Sequence, residues 1–176
     1  FSACDMVSKY HFLQGKKKEE EITMNERKKY VADKIQMEYK EWEPGKIILI
    51  TASTGRGKSY FILHTYLKWA ISNNLRILYL VNRKILQKQL KEEIKEIEIC
   101  GEFGLGLIDI NEYIHIDTYQ SIENSLKNFG ALEKLKWMDK FQVVVCDECH
   151  YFYADSNFNT GTELSYLAVK EIFARK

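Results

Sequence analysis

The chain has little proline and little glycine: one and nine in 176 residues. That excludes a collagenous repeat and a low-complexity linker, both of which need those residues in abundance. Cysteine is sparse as well. Cys4, Cys100, Cys146 and Cys149 are too few and too scattered for the disulfide framework of a small secreted domain, so reduced thiols are expected. Neither sign of charge is in excess, with 26 Lys and Arg against 25 Asp and Glu and a formal charge of +1. No global field draws such a chain to a polyanion, so any nucleic-acid site must be a local patch. Long apolar runs are missing too. Ile47-Ile-Leu-Ile50 and Val143-Val-Val-Cys146 fall far short of the roughly 20 residues of a membrane helix, and no membrane partner is expected. The opening residues, with Asp5 and Lys9, lack the charged-then-apolar order of a secretory signal, which points to the cytoplasm. The absence of an initial Met reads as a fragment or a processed end.

What is present is a folding composition, 45% hydrophobic and 29% charged, at the length of one domain with one core. Lys16-Lys-Lys18 followed by Glu19-Glu-Glu21 reads as the start of a solvated helix. Val31, Ile35, Tyr39 and Trp42 recur as one face of a helix within 25–42, stopped by Pro44-Gly45. Lys46–Thr51 is a β-branched apolar run too short for a buried helix, so it reads as a strand covered on both faces. Further strands are predicted at Arg76–Val81, Tyr113–Asp117 and Phe141–Cys146. Helices fall between them, including Lys84–Ile97 with Leu86, Leu90, Ile94 and Ile97 on one face. A last helix from Thr162 carries Leu164, Leu167, Ala168 and Ile172. Alternating strand and helix predicts a doubly wound, mainly parallel α/β sheet flanked by helices.

Between the first strand and the helix predicted through Tyr60–Leu67 stands Ala52-Ser-Thr-Gly55-Arg-Gly57-Lys58-Ser59. A loop that wraps a phosphate turns its backbone N–H groups inward. This needs unusual dihedrals at Gly55 and Gly57, and the anion is then handed to the positive end of the helix. Lys58 would neutralise the β- and γ-phosphates of a nucleotide, and the Ser59 hydroxyl would ligate Mg²⁺. Ala52 replaces the usual first glycine and fits if its φ is negative. The fourth strand delivers Asp147-Glu148 at its carboxyl end, where open α/β sheets hold ligands. Asp147 can hold the same Mg²⁺, and Glu148 can accept a proton from the attacking water. A rival reading takes Cys146-Asp-Glu-Cys149-His150 as a metal or redox motif, but it is incomplete as a zinc site. Gly101-Glu-Phe-Gly104-Leu-Gly106 follows a helix and reads as a connector. Of the aromatic residues after the fourth strand, Tyr151-Phe-Tyr153 reads as core.

With this loop and Asp147-Glu-Cys-His150 in one chain, the sequence resembles the superfamily-two DExH helicases of the restriction-subunit and phage type. The loop is similar to motif I and the DECH run to motif II. Leu80-Val-Asn-Arg83 with Leu86 and Gln89 is similar to motif Ia, and Asp117-Thr-Tyr-Gln-Ser121 to the T-Y-Q form of motif Ib. The resemblance implies a P-loop NTPase of RecA-like fold over 25–176, after an N-terminal segment, 1–24, of uncertain role. It implies ATP held by Thr54, Gly55, Arg56, Gly57, Lys58 and Ser59, and Mg²⁺ held by Ser59 and Asp147. Lys58, Asp147, Glu148 and His150 would serve catalysis. Arg83, Thr118 and Gln120 would touch the backbone of a nucleic-acid strand, with DNA favoured over RNA. Read without the resemblance, Arg83 is a surface charge and Thr118 the N-cap of a helix through Ile122 and Leu126. Adenine recognition has only Arg27, Tyr30 and Gln36 as candidates, and no motif III follows motif II. The expectation is an ATP-driven motor domain that lacks the motif III strand and a second RecA-like domain. A phage-type packaging ATPase and a non-hydrolysing nucleotide switch are the alternatives.

Overall fold

The computed structural model describes residues 19–23, 30–43, 46–104, 108–150 and 162–174. The chain divides into two compact units, Phe1–Trp69 and Ala70–Lys176.

In the first unit, β2 (Ile47–Thr51) pairs in parallel with β1 (Glu19–Thr23), in register from Glu19 opposite Ile47 to Thr23 opposite Thr51. The glutamates predicted to open a solvated helix therefore lie in a strand. The free edge of β2 offers a ladder of backbone partners, and such pairing overrides the weak strand propensity of glutamate. A second expectation also changes. β2 is only half-buried along its length rather than covered on both faces.

The single helix predicted within 25–42 is broken into α1 (Val31–Ile35) and a 3-10 turn at Glu38–Glu41. Gln36 sits between them at φ 49°. Its strain, of order 1–3 kcal/mol, is offset by packing beyond the break. Tyr39 meets the rings of Trp42, Phe61, Tyr66 and Trp69 edge-on, with centroids 5.8–6.5 Å away. Each such pair contributes about 0.5–1.5 kcal/mol beyond area burial. Val31, Ile35 and Tyr39 of the apolar series are buried and Trp42 is half-buried, so the series faces the core although the helix is not continuous. The helix after the glycine loop, α2 (residues 58–72), runs as α over Lys58–Tyr60 and π over Phe61–Tyr66, then α again over Leu67–Ser72. Its π segment buries Phe61, Ile62, Leu63 and Tyr66, and burial pushes the Tyr66 hydroxyl up to about 12.

The second unit is built on three parallel strands in the order β4-β3-β5. These are β3 (Ile77–Val81), β4 (Ile114–Thr118) and β5 (Val143–Cys146). β3 is central and buried at every residue, as an apolar run covered on both faces should be. α3 (Lys84–Ile99) lies against β4 and β3 and buries Leu90, Ile94 and Ile97. α4 (Tyr119–Asn128), α5 (Ala131–Met138) and α6 (Thr162–Ala174) complete the unit. Leu78 and Leu80 of β3 share one core with Tyr119, Ile122 and Leu126 of α4, Met138 of α5, and Ala168 and Ile172 of α6. Leu167, predicted on the buried face of the last helix, is 45% exposed. It lies one position off the Ala168 and Ile172 stripe, so the helix turns it about 100° away. Among the described residues, no helix is long and apolar enough to cross a membrane.

Candidate functional site

The candidate residues fall in both units. In the first, β2 runs straight into the glycine loop. Gly55 and Gly57 have φ of 77° and 73°, the left-handed values that a loop turning its N–H groups inward needs. Ala52 is absent from the described residues with positive φ, so alanine is compatible with its place. Gly57 is also the N-cap of α2, and no side chain caps that helix end among the described residues. Its first-turn N–H groups therefore face the loop, where an anion would be favoured. The Lys58 ammonium curls back into the loop, donating to the Ala52 carbonyl at 2.7 Å and to the Ser53 carbonyl at 3.4 Å. Ser59 is half-buried on the first turn, and Thr54 is exposed at the tip. The loop is braced from outside as well: the Val31 N–H at the start of α1 donates to the Arg56 carbonyl at 2.9 Å. Tyr30 packs so close that a Cβ on Gly57 would come within 3.7 Å of its ring. Of the adenine candidates, Tyr30 thus lies beside the loop, Gln36 forms the break after α1, and Arg27 lies outside the described residues.

In the second unit, parallel pairing brings the carboxyl ends of β3, β4 and β5 to one edge. Val81 is in register with Thr118, and Leu80 with Cys146. Arg83 follows β3, Gln120 follows β4, and Asp147, Glu148 and His150 follow β5. The Asp147 N–H continues the ladder to the Leu80 carbonyl at 2.9 Å. Its carboxylate is half-buried, with the Tyr79 hydroxyl 3.5 Å away. Glu148 is exposed and takes φ 55°, a left-handed conformation uncommon outside glycine. His150 Nδ1 lies 3.1 Å from Glu148 Oε2.

The predicted backbone-contact residues separate. Arg83 and Gln120 are exposed, whereas Thr118 is only 4% exposed. The Thr118 hydroxyl accepts from the Ser121 N–H at 3.1 Å. This residue is a helix cap turned inward rather than a surface donor, because the first turn of α4 needs an acceptor for its N–H groups. Gln89 of the motif Ia run is exposed, and Gln87 beside it turns toward β4. Its Nε2 donates to the Ile116 carbonyl and to Asp117 Oδ1, both at 3.0 Å. Asp117 also accepts from the Thr118 N–H and from Ser121 Oγ. Burial would raise its pKa, but the donors His115, Thr118 and Ser121 outweigh burial and hold the carboxyl below its ordinary value.

Sequence reasoning gave Tyr79 and Gln87 no place at this edge, and placed Tyr119 there only as part of the T-Y-Q run. Their contacts to Asp147 and Asp117 span 28–68 residues of chain, which no local spacing reveals. Burial pushes the Cys146 thiol up to about 12 and raises that of Cys149, so neither is poised as a reactive thiolate. Among the described residues, no group of three or more His, Cys, Asp or Glu side chains could hold a metal ion. His64 stacks on Tyr60, and His115 packs against Trp137 and Phe141. Tyr151-Phe-Tyr153 lies outside the described residues.

A strand entering a glycine loop that opens a helix in one unit, and an acidic pair ending a strand of a parallel sheet in the other, are parts that a P-loop α/β protein carries. Residues 16–176 match the family described as type III restriction enzyme, res subunit. The chain belongs to this family and is a helicase-like domain of restriction-subunit type. It is also similar to the type I restriction enzyme EcoAI endonuclease subunit of Escherichia coli, at 31% identity over 111 residues. That likeness covers 58% of this chain and 13% of the relative, so the chain spans a small part of the relative's length. No solved structure matches.

Proposed function

We propose that this chain is the ATP-binding part of a DExH-type motor that couples ATP hydrolysis to movement along DNA. The observation that carries the reading is the loop of residues 52–59, with left-handed Gly55 and Gly57 and a helix N-terminus that no side chain among the described residues caps. Backbone N–H groups in that arrangement bind phosphate. The residues fit a magnesium nucleotide. Lys58 would exchange its carbonyl partners for the β- and γ-phosphates, while Thr54, Gly55, Arg56 and Gly57 shape the cradle. Ser59 and Asp147 would hold Mg²⁺, which supplies charge neutralisation at the phosphates. Glu148 would take the proton of the attacking water, with His150 orienting its carboxylate. Arg83 and Gln120 would donate to phosphates of one DNA strand. Thr118 would contribute by fixing the turn that carries Gln120.

DNA as the track is supported by the restriction-enzyme kinship. The domain, expected from residue 25, would extend back to Glu19, a reading supported by the pairing of β1 with the phosphate-loop strand. In the whole protein, a second RecA-like domain would supply the cationic groups that complete such sites, which contribute about 10³–10⁵ in rate. The test is the ATPase rate of the full-length protein with and without single-stranded DNA. Strong stimulation is expected. Tight ATP binding with no turnover would overturn the motor reading in favour of a nucleotide switch.

A further inference from the structure

We infer that Tyr119 is the positioning residue through which the DNA-contact turn acts on Glu148, an inference that rests on the motor reading above. Its ring is fully buried in the core with Leu78, Leu80 and Ile122. Its hydroxyl crosses to the other side of the central strand and donates to the Asp147 backbone carbonyl at 2.9 Å. That carbonyl belongs to the peptide group joining Asp147 to Glu148. Rotation of this peptide changes ψ of Asp147 and φ of Glu148 together. Since Glu148 is held at φ 55°, a conformation that needs support from its surroundings, the Tyr119 hydroxyl is one of the contacts that hold it there.

The other end of the lever is equally well defined. Tyr119 is the first residue of α4, between the Thr118 cap and exposed Gln120. Thr118 is tied to Ser121 and to Asp117, and Asp117 to Gln87 of α3. A phosphate drawing on Gln120 therefore loads a braced turn, and the rigid phenol is the part of that turn that reaches the acidic strand end. Tyr79 completes the arrangement from the central strand, 3.5 Å from the Asp147 carboxylate. The backbone and the carboxylate of Asp147 are thus held by two different phenols.

Coupling of this kind is reciprocal, so it is visible in equilibrium binding as well as in rate. The experiment compares full-length wild type and Tyr119→Phe, which keeps the ring and removes only the hydroxyl. Three quantities are measured: the affinity for single-stranded DNA with and without a non-hydrolysable ATP analogue, the stimulation of ATPase by DNA, and the thermal midpoint. In the wild type, the analogue is expected to change DNA affinity by about 5–150-fold, the usual range for coupled sites. In Tyr119→Phe, each ligand alone should bind within about twofold of wild type, while the coupling factor falls toward one and the stimulation by DNA is lost. Unchanged coupling in the variant would overturn the inference. So would joint loss of ATP binding, DNA binding and thermal stability, which would make Tyr119 a packing residue only. A wild type without DNA stimulation or coupling would instead refute the motor reading, and the inference with it.

Discussion

The phosphate loop and the acidic strand end are built in opposite ways. The lysine of the loop is held by near neighbours: Lys58 reaches carbonyls five and six residues back, the outside brace is one backbone bond from Val31 to Arg56 with Tyr30 beside Gly57, and the strand that feeds the loop is half-exposed throughout. The acidic end is organised from afar. Asp147 is held by Tyr119 and Tyr79, 28 and 68 residues away, beside a strand with every residue buried. A local device can be encoded in a short motif and needs little core. One assembled over long separations depends on the whole unit being folded, and so reports on it.

The sharpest break between the two regions should be chemical. Glu148→Gln in the full-length protein is expected to lower ATP hydrolysis by about 10²–10⁴-fold while leaving ATP binding intact, as loss of a general base does. Lys58→Ala should weaken binding itself. Titration with a fluorescent ATP analogue separates the two, and a Glu148→Gln enzyme hydrolysing at the wild-type rate would remove Glu148 from the mechanism.

The next test concerns packing. Leu80→Ala in the buried central strand should cost about 2–5 kcal/mol of stability. Ile50→Ala in the half-exposed phosphate-loop strand should cost less, about 1–2 kcal/mol, since fewer of its carbons leave water. Equal losses by denaturant unfolding would mean that the two strands are equally supported.

What could be read in the sequence follows the same division. Gly55, Gly57 and Lys58 announce the loop because their spacing is the geometry. The strands of the second unit appear within two residues of their predicted bounds, because apolar runs of that length have few other fates. The contacts of Tyr119, Tyr79 and Gln87 were hidden, since no local spacing shows which distant strand end a side chain will meet. The Glu19–Thr23 strand was hidden for a related reason. Its local charge pattern favours a helix, and only the edge of β2 makes it a strand. Gln36 breaks a helix that periodicity alone continues, and the ring cluster responsible draws on residues 39–69.

Smaller effects probe the braces. Thr118→Ala removes the acceptor for the Ser121 N–H and should cost about 0.5–2 kcal/mol of stability, typical of a lost N-cap. If DNA affinity fell severalfold with no change in melting, Thr118 would be a contact after all.

The smallest effect should be confined to acid. With its folded pKa below the ordinary value near 3.8, Asp117 contributes stability that is fully present above the unfolded pKa. That contribution is lost as pH falls through the lower folded value. The stability gap between wild type and Asp117→Asn should therefore be constant from neutral pH down to the carboxylate range and close below it. A gap that widened in acid would contradict the network drawn around Asp117.

The Lys58 ammonium resting on the Ala52 carbonyl bears on timing. A cation already partnered by its own loop gains less by taking a phosphate than an unengaged one would, because it gives up carbonyl acceptors to do so. By the same trade it loses less when the phosphate departs, since the carbonyl stands ready to receive it. Under the proposed function, such a loop grips its fuel less tightly than an unengaged lysine would, and lets the spent nucleotide go sooner. For a machine that must reset at every step along its track, quick release matters as much as firm capture.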